Sequence, residues 1–476
     1  GAFMKLGVKK LSSAVRLGLS LGAVIAVGVS TTAFAQDAGT QTQDTANQPS
    51  QKKAQTLQTV VVTGSRIRRV DLETANPVHI IDRAQIESSG KLTMGDLLQS
   101  IPAVAGAATN PQVNNGGGDG ASTVSLRGLG SQRTLILVNG HRIARNDINA
   151  IPASMVERVE ILKDGASATY GSDAIGGVVN FILRQNFQGA EISANYGESD
   201  RNDGARRGFS AIFGTASDKG NITAGLEYNK FDQISSADRD FSKFATYLSS
   251  GSVFNAGSSR TPQGQLRTGA ALDGTVTLNK GVMGVTSRSD YRKYNSKTDA
   301  YNYQALNLVQ TPQERTNAFA LANYQLTDNI QAHLDFFYNK TTSHFAIAPL
   351  PFDALGDGVL VSKDNYYNPW GTRVLGPRAI NFGTDGTTLG KGFRSRFTTL
   401  GQRMGNYATE TNQVNAGLKG SFGADTTWQW DANLNYGHVS QLQHSQGYVY
   451  YAGMRQALGP SFLDPATGTV TSGTPT

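Results

Sequence analysis

The sequence predicts a small mixed α+β unit followed by an antiparallel β-barrel whose strands lie between a bilayer and water. Three observations carry this. The hydrophobic pattern changes at about Gly189 from mixed helix and strand signals to period two. Only 38% of the 476 residues are hydrophobic and 54 are glycine, which is too polar for a bundle of membrane helices. It suits strands that meet lipid with every second residue only. Finally, the connections between the later strands alternate between short and long, as in barrels with tight turns at one end and loops at the other.

The chain opens with a secretory signal over residues 1–35. Lys5, Lys9, Lys10 and Arg16 form a basic flank without acidic residues, Leu17 to Val29 is apolar, and Ala33-Phe34-Ala35 is a small-x-small cleavage triplet. The apolar run falls short of the ~20 residues a spanning helix needs. The expected mature start is Gln36, and Gly1-Ala2-Phe3 ahead of Met4 reads as a mis-set start or an added scar. Taking the four leader cations from the net charge of +7 leaves +3 for the rest. The basic balance is therefore weak support for nucleic acid as a partner.

Residues 36–55 are rich in Gln, Thr, Asp, Asn, Ala and Ser and cannot bury enough surface to order themselves. They read as a flexible leader. Residues 56–75 follow, with five consecutive β-branched residues at Thr59, Val60, Val61, Val62 and Thr63. Such a run favours an extended backbone. On local physics it is either a strand that docks on another protein's sheet edge or the first strand of the next unit.

Residues 76–186 carry the α+β unit. Val78 to Ile81 is a short strand; Asp82 caps a helix through Ile86 that stops near Gly90. Thr93 caps a second helix, with Leu97, Leu98 and Ile101 on its apolar face, and Pro102 ends it. Asn114 to Gly120 is a glycine-rich loop. Strands are expected at Val124 to Leu126, Leu135 to Val138, Val156 to Leu162 and Val178 to Leu183, with a tight turn at Asn139-Gly140.

Residues 187–476 read as barrel. Ile222, Ala224, Leu226 and Tyr228 alternate with Thr223, Gly225 and Glu227; Trp428, Trp430, Ala432, Leu434 and Tyr436 alternate with Gln429, Asp431, Asn433 and Asn435. Similar alternation starts at Ala190, Ile330 and Val414. A soluble β-sandwich also alternates, but aromatics at strand ends suit interfacial girdles. Ser217 to Gly220, Thr327 to Asn329 and Gly423 to Thr426 are expected as tight turns. Asp232 to about Leu266 and Pro349 to about Arg403 are the long connections.

Catalytic constellations are not expected. There is no cysteine, hence no thiolate site. Gly171 to Gly176 lacks dinucleotide spacing, and no phosphate-loop Gly-Lys-Ser/Thr occurs. The histidines, among them His333, His344, His438 and His444, form no metal-binding helical pair. No cofactor or metal is assigned.

Several motifs resemble the TonB-dependent receptor family, in that family's order. Leu57 to Arg66 is similar to its TonB box. Ser125-Leu126-Arg127-Gly128-Leu129-Gly130 and Arg133 to Gly140 are similar to its plug core, and Val156 to Gly165 continuing through Ala168 to Asn180 is the strongest match. Thr311 to Arg315 leading into a strand is also similar. The resemblance covers everything after the leader. It implies a plug inside a 22-stranded outer-membrane barrel. It further implies energised uptake of a scarce solute of the siderophore, cobalamin or oligosaccharide class. The implied partners are the periplasmic domain of TonB with its inner-membrane energising complex, outer-membrane lipid and the solute. Thr59 to Thr63 become the TonB-binding strand. Arg127, Arg158 and Glu160 either pair with each other and with inward barrel carboxylates, which is the expectation, or lie on the wet plug surface. Asn114, Asn115 and Asp119 face the solute or belong to a plain connector. Tyr291, Tyr294, Tyr301 and Tyr303 stack on a solute or pack within loops.

Roughly 290 residues follow the plug, too few for 22 strands of about ten residues with long loops. The C-terminal half of the barrel is therefore expected to be missing. Two further readings follow: a truncated remnant whose plug alone folds, and a signalling receptor. The latter carries a folded domain before the TonB box, for which residues 36–55 are too short. A passive porin is opposed by the plug motifs.

Overall fold

The computed structural model describes residues 78–104, 119–269, 272–284, 287–383, 392–422 and 428–474. The signal, the leader, Thr59 to Thr63, Asn114, Asn115 and the turn expected at Gly423 to Thr426 lie outside the described residues.

The first unit is built on a five-stranded mixed sheet. Its strands are β1 (Val78–Asp82), β2 (Thr134–Val138), β3 (His141–Arg142), β4 (Val156–Leu162) and β5 (Gly177–Leu183), in the order β1-β4-β5-β2-β3. β2 and β5 run parallel and the other neighbours antiparallel. Helix α1 (Arg83–Ser88) starts with a full capping box, in which Asp82 accepts from the Gln85 amide and Gln85 from the Asp82 amide. Helix α2 (Met94–Gln99) is capped by the Thr93 hydroxyl. The β2–β3 turn has Asn139 at φ 50° and Gly140 at φ 85°, the two left-handed residues that a tight hairpin requires.

Val124 to Leu126 is not a strand. The Leu126 amide donates to the Thr134 hydroxyl, the Ser125 hydroxyl accepts from the Gly130 amide, and Arg127 turns the chain at φ 56°. Side-chain hydrogen bonds replace the ladder there.

Seven long strands form a second, wholly antiparallel sheet. In chain order they are β6 (Gly189–Gly197), β7 (Arg206–Ser217), β8 (Gly220–Phe231), β9 (Gln313–Thr327), β10 (Ile330–Ile347), β11 (Arg403–Phe422) and β12 (Trp428–Gln446), each paired with its sequence neighbour. The sheet is open with β6 and β12 as edges, and the described residues contain no closed barrel. Turns at 217–220 and 327–330 are tight, and long segments join the strands at the other end.

The sheet is patterned inside out relative to a soluble sandwich. On β8, Ile222 and Leu226 are 55% and 57% exposed, whereas Thr223 and Glu227 are 1% and 6% exposed. β9 repeats this, with Gln313, Arg315, Asn317 and Asn323 buried while Ala318, Ala320 and Ala322 lie on the outer face. The polar face covers the first unit; the apolar face points away, edged by the exposed Tyr324, Phe422 and Trp428. No described helix is long and apolar enough to cross a membrane.

β7 escapes the period-two reading because Ile212 faces inward, 1% exposed, in the core of the first unit. Phe319 and Leu321 of β9 join that same core. Apolar residues on both faces erase the alternation that sequence reasoning relies on.

The long segments fold over the loop end of the sheet. Gln265–Gly269, Gly274–Leu278, Tyr291–Lys293, Pro351–Asp353 and Phe393–Arg396 make a small five-stranded sheet. One core gathers Leu266, Val276, Trp370, Ile380 and Phe382; a second gathers Phe352, Ala354 and Val359.

Candidate functional site

The seam between the first unit and the inner face of the long sheet holds four of the buried charges among the described residues: Asp147, Glu227, Arg315 and Asp335. Arg315 of β9 is 1% exposed, although guanidinium groups are rarely buried without partners. Its Nη1 donates to Asp147 Oδ2 at 2.9 Å and to the Thr341 hydroxyl at 3.1 Å; its Nη2 donates to the Gly120 carbonyl and to Gln313 Oε1. Asp147 is fully buried and its Oδ1 also accepts from the amides of Ser122 (2.9 Å) and Asn149 (3.1 Å). One carboxylate thus shapes the loop of the first unit and holds it to the sheet. Arg145 extends the chain of charges, 3.7 Å from Asp147 and 2.8 Å from Asp119.

Other strands repeat the arrangement with different chemistry. Buried Glu227 of β8 accepts from the Ser154 hydroxyl (2.7 Å) and amide (3.2 Å), and from Asn229 at 2.9 Å. Asp335 of β10 accepts from Asn139 at 3.3 Å. Gln413 of β11 accepts from the Ala144 amide at 2.9 Å and donates to the Arg142 carbonyl at 2.8 Å. Arg206 of β7 reaches Asp96 at 3.1 Å, and Arg83 lies 3.8 Å from Glu191. The partners on the first unit include backbone amides and carbonyls, which carry no residue-type signal in the sequence.

His141 stacks against His333 of β10 with ring centroids 6.1 Å apart. Burial, the largest influence, lowers the pKa of the His141 imidazole, so the ring is neutral at neutral pH.

The charges singled out in the sequence are placed within the first unit. Arg158 Nε meets the fully buried Glu160 at 2.8 Å on β4. Arg127 is 43% exposed; it donates to the carbonyls of Ile175 and Gly176 and lies 4.0 Å from Asp164. Arg127 therefore braces the Gly176 turn and not the sheet. The contacts across the seam fall instead to Arg315, Glu227, Asp335 and Gln413. The motif around Arg315 was visible, but its burial follows only from knowing which strand face is covered. Asp119 turns its carboxylate to Arg145 and to the Ala121 amide.

Among the four tyrosines, Tyr291 packs edge-on against Trp370 at 4.9 Å, whereas Tyr301 and Tyr303 flank the Arg396 guanidinium at 4.9 and 5.9 Å. The described residues contain no cluster of three or more His, Asp or Glu able to hold a metal ion.

Residues 70–178 match the family model described as the TonB-dependent Receptor Plug Domain. The vitamin B12 transporter BtuB of Vibrio cholerae (El Tor Inaba N16961 strain) is 35% identical over 185 residues, 35% of this chain and 29% of the transporter. The BtuB sequence of strain M66-2 matches to the same extent. The match thus spans under a third of the length of these curated relatives. Among solved structures, a mutant ferric enterobactin receptor PfeA from Pseudomonas aeruginosa, in complex with enterobactin, is 14% identical. That match has a TM-score of 0.38 and covers 76% of this chain and 46% of the receptor. BauA, the ferric preacinetobactin receptor of Acinetobacter baumannii, is 13% identical with a TM-score of 0.40, covering 80% and 49%.

Proposed function

We propose that this chain, whose residues 70–178 match the TonB-dependent receptor plug domain, belongs to the TonB-dependent receptor family and serves energised uptake of a scarce solute across the outer membrane. The observation that carries the reading is the inside-out sheet seated on the plug: apolar residues outward, and a polar face closed on the plug by the Arg315–Asp147 pair. An outward apolar band suits lipid, and a polar inner face suits a path that must pass a hydrophilic solute.

In this reading the solute arrives over the folded segments at the loop end and meets the plug below. Thr59 to Thr63 serve as the TonB box and pair with the periplasmic domain of TonB as an added strand. Backbone pairing transmits force without demanding side-chain complementarity. The seam contacts then yield in part, and the plug rearranges enough for the solute to pass. Ferric siderophores, cobalamin and oligosaccharides are the solute classes in view; the two curated relatives named above are vitamin B12 transporters.

The test is direct binding of the TonB periplasmic domain to the purified chain in detergent micelles. A saturable complex is expected, and Val61→Pro should abolish it, because proline removes an amide donor from the middle of the added strand. Equal binding by the wild-type chain and the proline variant would remove residues 59–63 from the TonB-binding role.

A further inference from the structure

At the loop end, four arginines and two carboxylates gather around one cavity. Arg260 and Arg394 share Asp353, at 2.7 and 2.8 Å. Asp357 lies beside them, accepting the Asp353 amide at 2.8 Å. Arg396 and Arg403 have no carboxylate within 4 Å among the described residues. Arg396 is 5% exposed and spends Nε on the Arg260 carbonyl (3.0 Å) and Nη1 on the Pro349 carbonyl (2.8 Å). Arg403 spends Nε on the Ala348 carbonyl at 3.0 Å. Both therefore keep guanidinium N–H groups that no described residue occupies.

These groups line one cavity of about 430 Å³, together with Arg260, Tyr303, Asp353 and Asp357, so three arginines face two carboxylates there. That volume is in the range of small-molecule sites, ~300–1,000 Å³. Carbonyl oxygens and tyrosine faces hold the guanidinium planes in place but supply no full negative charge. Burying a cation without a counter-charge is costly. Burial, and after it the neighbouring Arg403 and Arg260, lowers the pKa of Arg396 to about 10, so it stays charged at neutral pH.

The cavity also lies on the way to the plug. Gln413 of β11 touches the plug, and alternation puts Tyr407 and Arg403 on the same inner face. Tyr407 sits opposite Ser343, against which Gly120 of the plug packs. Arg403 is therefore about 13 Å further along the strand than Tyr407, at ~3.3 Å per residue.

We propose that this cavity is an oxyanion-recognition subsite, in which Arg396 and Arg403 take a carboxylate- or phosphate-bearing solute. Its place as a stop on an import route rests on the uptake reading above; the binding chemistry does not. Paired oxygens suit the fork of a guanidinium, and each such bond is charge-assisted. Neutral solutes would leave both cations uncompensated.

The test is isothermal titration of the full chain in micelles with three probes: citrate for the carboxylate source, inorganic pyrophosphate for the phosphate source, and neutral maltotriose. Saturable binding of one or both anions is expected, with none of maltotriose, and the stronger anion identifies the source. Arg403→Gln should weaken binding about thirtyfold. That corresponds to the ~2 kcal/mol lower end for losing one partner of a buried charged pair, at ~1.4 kcal/mol per decade. Arg403→Lys should retain part of the affinity, and Arg267→Gln, on the small five-stranded sheet and not among the residues lining the cavity, should change nothing. Arg403 is only half-buried, so its variants decide the matter even where Arg396→Gln fails to fold. Anion binding unaltered by Arg403→Gln, tighter binding of maltotriose than of either anion, or no saturable anion binding would overturn the proposal. TonB takes no part in this measurement, so failure here leaves the uptake reading to its own test.

Discussion

Replacing Arg315 with methionine isolates the central contact of the seam. Methionine keeps the unbranched stem but removes the guanidinium from fully buried Asp147. Breaking a buried pair from one side costs ~3–5 kcal/mol, because the remaining charge lacks compensation. Asp147 keeps the amides of Ser122 and Asn149, and Arg145 stays 3.7 Å away. The lower end, about 3 kcal/mol, therefore applies. The readout is hydrogen exchange with mass spectrometry on the full chain in micelles, in peptides covering residues 119–126 and 145–151. Local opening should become about 150-fold more frequent, at ~1.4 kcal/mol per decade. Combining Arg315→Met with Asp147→Asn removes both charges. Both amides donate to the same oxygen, Oδ1, and asparagine retains it. The double variant should therefore regain at least about tenfold of the lost protection. Protection within about threefold of wild type in the single variant, or a double variant no better than the single, would refute the argument.

The remaining expectations follow from particular contacts. Gly120 has φ +76°, and a Cβ there would lie 2.8 Å from Ser343 Cβ. Gly120→Ala should increase exchange at the same peptides, and adding Ser343→Gly should restore part of the protection by clearing the clash. Arg127→Ala should loosen the turn at Gly176 while leaving exchange at 119–126 unchanged, since its partners are carbonyls of the plug; equal loosening at both places would return Arg127 to the seam. Arg239 and Ser199 hold Asp203 down at about 2 against an ordinary 3.8. A depressed carboxylate contributes order that is complete above the ordinary value and lost as pH falls through the depressed one. The segment 198–205 should thus resist acid proteolysis at pH 3 and open near pH 2, whereas Asp203→Asn should abolish that pH dependence.

Much of the backbone was legible because local chemistry settles it. Asp82 and Gln85 announce a helix start, Asn139-Gly140 announces a hairpin, and Val156 to Leu162 is a strand with the same limits in sequence and structure. The long sheet was legible wherever one face stays polar, as on β8 and β12. It was illegible on β7, where Ile212 enters the plug core. Val124 to Leu126 misled for the opposite reason: three residues of strand-like composition are held by hydroxyls and a left-handed Arg127. The site was less legible than the fold. A charge in an apolar strand shows that a partner exists but not which surface supplies it. Arg158 and Glu160 find each other on one strand, whereas Arg315 finds its partner 168 residues away.

The composition of the seam has a mechanical consequence. Among the described residues, a small apolar island joins the sheet to the plug core: buried Ile212, Phe319 and Leu321, with partly buried Phe337 of β10 against them. At ~1.5–3 kcal/mol per buried side chain, the island accounts for ~5–9 kcal/mol of adhesion. The rest of the seam is hydrogen bonds and ion pairs, each contributing only ~0.5–3 kcal/mol net because water replaces the partners on separation. An apolar seam of similar extent would have to expose its whole surface at once. A polar seam opens contact by contact, with water entering behind each broken bond. Strong local geometry, as at Arg315 and Asp147, therefore fixes where the plug sits without making the whole surface inseparable. On the uptake reading proposed above, a pull applied from the N-terminal side meets individual charged contacts in sequence, and the apolar island on β7, β9 and β10 marks the part of the plug that should be last to leave the wall.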